Sequence, residues 1–358
     1  EKQGGSDVRT NTTFAVSDGD GYRLTGHKFF CSAPMCDAFL TLAYSDGGLS
    51  CFLVPRWIHT GERNNLNIQR LKDKLGNRSN ASSEMEFLDT WGVMVGEEGR
   101  GIRTIIDMVQ GNRYYCCFSS AALMRQGLVQ ALHHTAHRTA FQKKLIDQPL
   151  MKNVLADLAI EVEAALALTL RVGRAMDEAE SNESAAALAR IGTAIGKYWV
   201  CKRAPGHIYE ALECHGGPGY IEDSIMPRLY REAPLNSIWE GSGNVMCLDV
   251  LRALGREPAA IPALLEELDA ARGGHNLLDA AIDALKMELA DLENLELRAR
   301  GITELMATAL QGALLVRHAP PEVADAYCVS RLGQRWTGAY GTLPTDMDFD
   351  TIIARAGA

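Results

Sequence analysis

The chain has 358 residues and a formal net charge of −9, and 47% of its residues are hydrophobic while 23% are charged. This length allows two or three domains with their own cores, and the composition is that of an ordinary globular protein. The negative charge disfavours a surface built for broad contact with nucleic acid or anionic membranes. No apolar run approaches the roughly 18 residues that a membrane-spanning helix needs. We therefore expect a soluble protein without a membrane partner.

Short runs of β-branched and aromatic residues alternate with turn clusters such as Asp18-Gly19-Asp20-Gly21 between about residues 10 and 90. This alternation predicts an antiparallel sheet, with strands at residues 14–16, 22–24, 27–31, 39–43, 51–54 and 85–87. After the glycine-rich loop at 96–101 the hydrophobic period changes from two to about 3.6. We place the end of the β domain near residue 96.

Helical periodicity dominates the rest of the chain, at about residues 101–138, 147–179, 184–215 and 244–254. Helices of these lengths are typical of a long-helix bundle. A proline-containing linker at 258–262 precedes further amphipathic helices over 260–335, while the structure of 341–358 stays open. The predicted fold class is α+β, with a β domain over 1–96, a helical bundle over 97–258 and an extra helical region over 259–358.

The nine cysteines form no C-x-x-C pair and lie mostly inside apolar segments. This pattern favours reduced core residues over disulfides or metal ligands, and it suits the reducing cytoplasm. The chain opens at Glu1, within a turn-forming motif and without a methionine. We interpret it as a fragment whose N-terminal domain is missing, which leaves any targeting signal open.

Glu240 is the strongest candidate for a catalytic side chain, because it follows Trp239 and precedes a Gly-Ser-Gly run and a helical pattern. Asn244 is expected to cap that helix. The helix end favours the ionised carboxylate, whereas desolvation against Trp239 favours the protonated acid. A carboxylate held between these effects can act as a general base. A plain capping or surface glutamate is an equal alternative on this motif alone.

Four weaker segments could bind a ligand, although each has a simpler explanation in isolation. Residues 213–220 end a predicted helix in glycines that allow close backbone approach, but glycines also commonly end helices. Residues 4–7 could hold a phosphate through amides and a hydroxyl. Residues 29–32 place an aromatic pair before a hydroxyl, as a core strand also would. Arg138 could bind a phosphate with two hydrogen bonds, or it could be an exposed helix arginine.

Two other kinds of site are disfavoured. His133, His134 and His137 lie on one predicted helix, but no acid accompanies them at ligand spacing, so we interpret them as surface or interface residues. The Gly-Ser-Gly run after Glu240 lacks the spacing and the flanking strand of a hydrolase nucleophile elbow, which disfavours serine hydrolysis.

Seven motifs follow one another along the chain, at residues 1–7, 30–32, 74–78, the 96–101 loop, 138–141, 213–220 and 239–242. Taken together and in order, they resemble motifs of the acyl-CoA dehydrogenase family over residues 1 to about 255. The corresponding family patterns are T-E-x-x-x-G-S-D, W-I-T, K-x-G-x-R, the loop entering the helical domain, R-x-x-F, Q-x-x-G-G-x-G-Y and Y-E-G-T. Segments 72–82, 227–232 and 236–252, with the extra helices after 258, are similar to the family's adaptive-response, AidB-like branch, which is associated with protection against DNA alkylation.

The resemblance implies FAD between the β domain and the bundle, and a homotetramer. Glu240 would take the α-proton of an acyl-CoA thioester while the β-hydride passes to the flavin, and Arg113 would lie on the substrate side. Phe30 and Ser32 would contact the flavin, and Arg138 with Phe141 would reach the FAD of a neighbouring subunit. The implied cofactor-binding residues are Gly5, Ser6, Phe30, Cys31, Ser32, Arg138, Phe141, Gln148, Glu213, Gly216, Gly217, Trp239, Ser242 and Asn244.

The chain departs from the family pattern at three positions. Glu213 replaces a glutamine and adds a negative charge near the cofactor, Gln142 stands where a glycine is usual, and Pro149 replaces a second glutamine, with Gln148 beside it. These departures predict that the cofactor edge is held differently.

Three functions stay open. The first is FAD-dependent α,β-dehydrogenation of an acyl-CoA with Glu240 as base. The second is a DNA-binding flavoprotein of alkylation protection with little turnover, which the 8 Lys or Arg against 15 Asp or Glu in residues 259–358 disfavour. The third is an acyl-CoA or nitroalkane oxidase.

Overall fold

The computed structural model describes residues 1–333 and 338–357. The chain divides into two compact units, Glu1–Gly111 and a second that begins at Asn112. The division lies inside the first long helix, whereas the change of period near residue 96 marks the end of the sheet. Arg335, one of the basic residues counted above, lies outside the described residues.

The first unit contains a β-barrel. Within residues 1–111, all of which are described, six strands form one sheet in the order β2-β1-β3-β4-β6-β5, and a further pairing of β2 with β6 closes it. The neighbouring strands are antiparallel except for one parallel contact, in which Phe14 of β1 meets Tyr44 of β3. The strands are β1 (Phe14–Asp18), β2 (Gly21–Cys31), β3 (Ala38–Ser45), β4 (Gly48–Pro55), β5 (Leu66–Leu71) and β6 (Ser83–Val95).

The predicted strands are confirmed in position, but β6 runs to Val95, where a loop was expected after residue 88. There are two further differences. Residues 22–24 and 27–31 belong to one strand, β2, which continues through Gly26. A side chain at this position would place its Cβ 2.3 Å from the Thr13 hydroxyl oxygen, so the close approach of β1 requires a glycine. Strand β5 was not predicted, since four of its six residues are exposed and it lacks a clear alternation. Its pairing with β6 makes it a strand.

The predicted long helices are also confirmed, within a few residues at each end. The ends follow local signals: α2 has a proline in its first turn, and the Asn182 side chain accepts a hydrogen bond from the Ala185 amide to cap α3. The predicted helices are α1 (Gly101–His137), α2 (Pro149–Glu178), α3 (Glu183–Glu213) and α6 (Gly243–Arg256). The structure adds the short helices α4 (Gly217–Tyr220) and α5 (Met226–Glu232), and the short strands β7 (Thr139–Ala140) and β8 (Lys143–Lys144) between α1 and α2.

Further helices occur within residues 260–335, as predicted: α7 (Ala260–Asp269), α8 (Asn276–Ala290), α9 (Leu295–His318) and α10 (Pro321–Tyr327). Helix α11 (Phe349–Gly357) lies in the segment whose structure was left open, and the linker predicted at 258–262 is shorter, since α7 already begins at Ala260. Leu264, Ile282 and Leu310 of these helices belong to the same hydrophobic core as Leu158 and Ile195 of the bundle. The region after 258 therefore shares the core of the second unit.

A buried ionic network strengthens this connection. Arg331, 2% exposed at its side chain, lies 2.5 Å from Asp157 and 2.9 Å from Glu161 of α2. Arg203 of α3 donates hydrogen bonds to both carboxylate oxygens of Glu161. Although burial opposes ionisation, Arg203 and Arg331 lower the pKa of Glu161 to about 2. The carboxylate therefore stays charged inside the protein.

Seven of the nine cysteines are buried, as expected for core residues, whereas Cys36 is exposed and Cys31 half-buried. Within the described part of the chain, no helix is both long and apolar enough to cross a membrane.

Candidate active site

Glu240 lies in a short loop between a 3-10 turn at Leu235–Ser237 and helix α6. It is half-buried and has a left-handed backbone, with φ 58, and Gly241 follows with φ 108. A non-glycine residue adopts this conformation only when its surroundings hold it there. The predicted cap at Asn244 is wrong, because Ser242 occupies the N-cap position and α6 begins at Gly243. The helix begins earlier than predicted because the last glycine of the Gly-Ser-Gly run already belongs to its first turn.

The indole of Trp239 helps to fix this loop. Its Nε1 donates to the Asn236 side-chain oxygen at 3.1 Å, and the Asn236 amide donates to the Ser120 hydroxyl of α1 at 3.1 Å. Asn236 is itself buried. A chain of side-chain hydrogen bonds therefore connects the loop to the first long helix.

Two cations bind the main chain around Glu240. Arg113 of α1 donates from Nε to the Glu240 carbonyl at 3.0 Å. Lys197 of α3 donates from Nζ to the carbonyls of Trp239 at 2.8 Å and Gly241 at 2.5 Å. Three consecutive carbonyls are thus held from two helices.

The charge of Arg113 is balanced by Asp249 of α6, whose Oδ2 lies 3.0 Å from Nη1. Asp249 is buried and also binds Arg190 and Arg252. The resemblance assigns Arg113 to the substrate side. In the structure its guanidinium supports the loop that carries Glu240.

Burial raises the pKa of the Glu240 carboxyl above its usual 4.5, while Arg113, the Asn112 amide and Lys197 oppose the shift. The Asn112 Nδ2 lies 3.4 Å from Glu240 Oε1. The sequence predicted the desolvation correctly but not the neighbouring cations. A half-buried carboxylate with a raised pKa is suited to accept a proton from carbon.

The other predicted cofactor residues of the second unit lie near helix ends. Gly216, with φ 62, follows α3, and open space surrounds the Cβ positions of both Gly216 and Gly217. The exposed Glu213 raises the pKa of the Tyr209 hydroxyl beside it, through its charge and a hydrogen bond. The Asn244 side-chain oxygen accepts a hydrogen bond from Arg300 Nε at 2.8 Å.

Arg138, Phe141 and Gln148 lie in the connection between α1 and α2. Phe141 is 95% exposed and has φ 53. Gln142 has φ 62, a left-handed conformation that glycine adopts without strain, which explains why a glycine is usual at position 142 in the family. Gln148 Nε2 donates to the Ala140 carbonyl at 3.3 Å. The connection between α1 and α2 therefore exposes the aromatic ring of Phe141.

The α1 connection and the glycine pair lie at the same end of the bundle. The rings of His134 on α1 and His215 after α3 pack with 4.8 Å between centroids, while His133 and His137 are exposed.

Among the described residues, no group of histidine, cysteine or acid side chains could hold a metal.

In the first unit, the Glu1 side chain holds the loop that contains Gly5 and Ser6. Its carboxylate accepts hydrogen bonds from the Thr12 amide at 2.7 Å and the Thr13 amide at 3.0 Å, with Lys28 at 3.3 Å. Partial burial opposes ionisation, but hydrogen bonds from the Thr13 hydroxyl and from the two amides, together with Lys28, lower the pKa of Glu1 to about 2. Gly5 and Ser6 are left exposed.

Phe30, Cys31 and Ser32 lie at the end of β2. Phe30 is 62% exposed and packs edge-to-face on Phe29, with 5.2 Å between ring centroids. The Lys72 ammonium lies 3.1 Å from the Phe29 centroid and 2.6 Å from Glu84. Ser32 is exposed, and Cys31 is half-buried. The ion pair of Lys72 and Glu84 therefore lies beside the aromatic pair.

Two family models match the chain: the acyl-CoA dehydrogenase middle domain over residues 1–90 and the acyl-CoA dehydrogenase C-terminal domain over residues 99–255. The chain therefore belongs to the acyl-CoA dehydrogenase family, and a β-barrel followed by a long-helix bundle is the fold of that family. The resemblance drawn from the seven motifs is confirmed.

Individual relatives agree. The chain is 46% identical over 336 residues to AidB of Escherichia coli, and 31% identical over 381 residues to acyl-CoA dehydrogenase family member 11 of Caenorhabditis elegans; each match covers 94% of this chain and 62% of the relative. The structure of Caenorhabditis elegans ACDH-11 in complex with C11-CoA matches with a TM-score of 0.85 at 30% identity, over 95% of this chain and 65% of that one. This confirms the likeness to the AidB-like branch, and the chain spans about three fifths of the length of these curated relatives.

Lys197, Asn236 and Asp249 are the site residues that sequence reasoning missed. Lys197 had a detectable signal, since it is a single charge inside the apolar run Ile195-Gly196-Lys197-Tyr198-Trp199-Val200-Cys201. Asp249 sits on the buried face of α6. A charge on an apolar helix face indicates a buried partner, but not which one.

Proposed function

We propose that the protein is an FAD-dependent oxidoreductase that removes hydrogen from the α and β carbons of an acyl-CoA thioester, with Glu240 as the base. The observation that carries this proposal is the environment of Glu240. Its carboxylate is half-buried, burial raises its pKa, and its backbone is held by Arg113 and Lys197.

FAD is supported by the family, whose members typically bind it, and by what the candidate residues leave open. Phe30 presents an exposed aromatic face and Ser32 an exposed hydroxyl in the first unit. In the second unit, the glycine pair Gly216 and Gly217 leaves open space that a side chain would fill. Aromatic faces suit a flavin ring, and glycine backbone suits close approach of a phosphate or ribose.

Glu240 would take the α-proton onto a carboxylate oxygen, and the electron pair of that C–H bond would form the new carbon–carbon double bond. FAD, when bound, would accept the hydride that leaves the β-carbon, so that electrons balance. Arg113 and Lys197 would keep the carboxylate aimed while it changes charge. Fixed orientation of this kind is a major part of catalytic rate enhancement.

An acyl-CoA substrate is further supported by the relative ACDH-11, whose crystal structure is a complex with C11-CoA. We propose a thioester of the same chemical class for this chain. A panel of substrates would identify the acyl chain.

The test is anaerobic flavin reduction by a panel of straight and branched acyl-CoA thioesters. It uses the protein expressed at full length, so that any region beyond these 358 residues is present. Wild-type protein should purify with FAD and lose its visible flavin absorbance with at least one thioester. Glu240→Gln should keep FAD but lose reduction, whereas the control Glu178→Gln, at an exposed ion pair on α2, should behave as wild type.

Retained reduction in Glu240→Gln would refute the base assignment. Rapid oxygen consumption by the reduced wild-type protein would assign an oxidase in place of a dehydrogenase.

We also propose a homotetramer in which Arg138 and Phe141 approach the cofactor of a neighbouring subunit. A phenyl ring that is 95% exposed at a chain connection supports this proposal, because the described residues of its own chain leave it uncovered. Sedimentation equilibrium should give four subunits. Phe141→Ala should weaken both the assembly and FAD retention, while an unchanged tetramer would place the interface elsewhere.

DNA binding has less support and is not proposed. Among the described residues after 258, six of the seven basic side chains are ion-paired with acids of the chain itself, and the seventh, Arg300, binds Asn244. Paired cations release few counterions from DNA. Steeply salt-dependent duplex binding would restore this function.

A further inference from the structure

We infer that Lys197 is a positioning residue for Glu240: its buried ammonium holds the carbonyls on both sides of Glu240 and thereby fixes the catalytic conformation of the loop. The inference rests on the proposed role of Glu240 as the base.

The geometry is specific to the loop. Lys197 Nζ lies 2.8 Å from the Trp239 carbonyl oxygen and 2.5 Å from that of Gly241, the residues immediately before and after Glu240. A single donor group that bridges these two carbonyls restrains the direction in which the Glu240 side chain leaves the backbone. The left-handed φ of 58 at Glu240 is a conformation that such a restraint has to maintain.

Lys197 makes these hydrogen bonds from an unfavourable place. It is 1% exposed. Burial lowers the pKa of its ammonium, and the opposite effect of Cys201, Cys116 and Cys117, which raise this pKa, is smaller. Among the described residues, no carboxylate lies within ion-pair distance of Lys197, so its partners are main-chain oxygens. Burying an ammonium that forms no direct ion pair costs several kcal/mol. An apolar residue would pack there more favourably, which argues that the lysine serves the loop.

Arg113 does not duplicate this role. It binds the carbonyl of Glu240 itself, and its charge is balanced by Asp249. Lys197, by contrast, binds the carbonyls on both sides of Glu240. Loss of Lys197 should therefore free the peptide planes that orient the carboxylate, while the Arg113 contact keeps the loop attached.

The test compares Lys197→Met with wild type in the full-length, FAD-loaded protein. Lys197→Met keeps much of the side-chain volume and removes the donors. Lys286→Met is the matched control, because Lys286 forms an exposed ion pair with Asp269 on α7. The readouts are the rate of flavin reduction, the Kd of a non-reactive alkyl-CoA thioether, and amide hydrogen exchange of a peptide that covers residues 238–242.

Lys197→Met should reduce flavin about 10²-fold more slowly, as expected when a reacting group is misplaced. The Kd of the thioether should change by less than about threefold, and amide exchange in 238–242 should rise about tenfold. A merely structural lysine would instead lower global stability without a selective effect on this peptide. Lys286→Met should leave all three readouts unchanged.

A reduction rate within about threefold of wild type, with unchanged exchange at 238–242, would overturn the inference while the proposed function stood. If wild type reduced no flavin with any thioester, the proposed function would fail, and the exchange readout would still decide whether Lys197 holds the loop. If Lys197→Met does not fold, Lys197→Gln is measured in the same three assays, under the same criteria.

Discussion

Arg113 and Asp249 form a buried ion pair, with 3.0 Å between Nη1 and Oδ2, and this pair holds the guanidinium against the main chain of Glu240. Asp249 is 3% exposed and also binds Arg190 and Arg252. One carboxylate therefore forms ion pairs with three arginines beside the candidate base, and Glu257 adds a second acid at Arg190. This relationship makes α6 part of the site, since the helix supplies the charge that lets Arg113 stay buried.

Asp249→Asn should lower the free energy of unfolding by about 3–5 kcal/mol, because the arginines would keep their charge without a buried counterion. Urea unfolding at neutral pH measures the change. The control Asp283→Asn removes an exposed ion pair with Arg272 and should cost less than about 1 kcal/mol. Equal losses in the two variants would contradict a special role for Asp249.

The pH dependence of flavin reduction should report Glu240. The base acts in its ionised form, so the rate at low acyl-CoA should rise with pH through an apparent pKa above the usual 4.5. Arg113→Gln should move this pKa further upward, because Arg113 is the foremost of the groups that favour the ionised carboxylate. Stopped-flow rates across the pH range provide the measurement. A pKa that stayed in place or fell in Arg113→Gln would count against the assignment.

Acid should destabilise the second unit in two ranges. Burial lowers the pKa of His207 from 6.5 to about 4, so its contribution to stability is present above pH 6.5 and is lost as the pH falls through 4. This loss amounts to roughly 3 kcal/mol. The contribution of Glu161, with a pKa of about 2, is present above pH 4.5 and is lost as the pH approaches 2. His207→Leu should show a shallower decline of unfolding free energy between pH 6.5 and 4, and parallel curves would contradict this origin.

Arg331 should be important for the attachment of the region after 258. Arg331→Met would leave Asp157 and Glu161 with fewer buried counterions, and we expect a loss of about 3–5 kcal/mol. Circular dichroism during urea unfolding measures it. Arg355→Met, which removes a more exposed ion pair with Glu163, should cost less than about 1 kcal/mol. A small effect at Arg331 would mean that hydrophobic packing alone holds the region.

Much of the fold follows from local pattern. The limits of α1, α2 and α3 were predicted within a few residues because breaks between the helical runs mark their ends, such as Pro149 at the start of α2 and Asn182 before α3. Strand β5 was missed because four of its six residues are exposed, so its pairing with β6 and not its composition determines it. The cap of α6 was misplaced by two residues because a Gly-Ser-Gly run permits more than one helix start.

For the site, the sequence by itself determined the family, the candidate base and the small residues around it, because these lie within short motifs whose order along the chain is informative. The tertiary structure alone decided what surrounds Glu240. Lys197 and Arg113 lie 44 and 127 positions from their carbonyl partners, on α3 and α1. Hydrogen bonds across such separations depend on how helices pack, and a linear pattern does not record which buried charge faces which carbonyl.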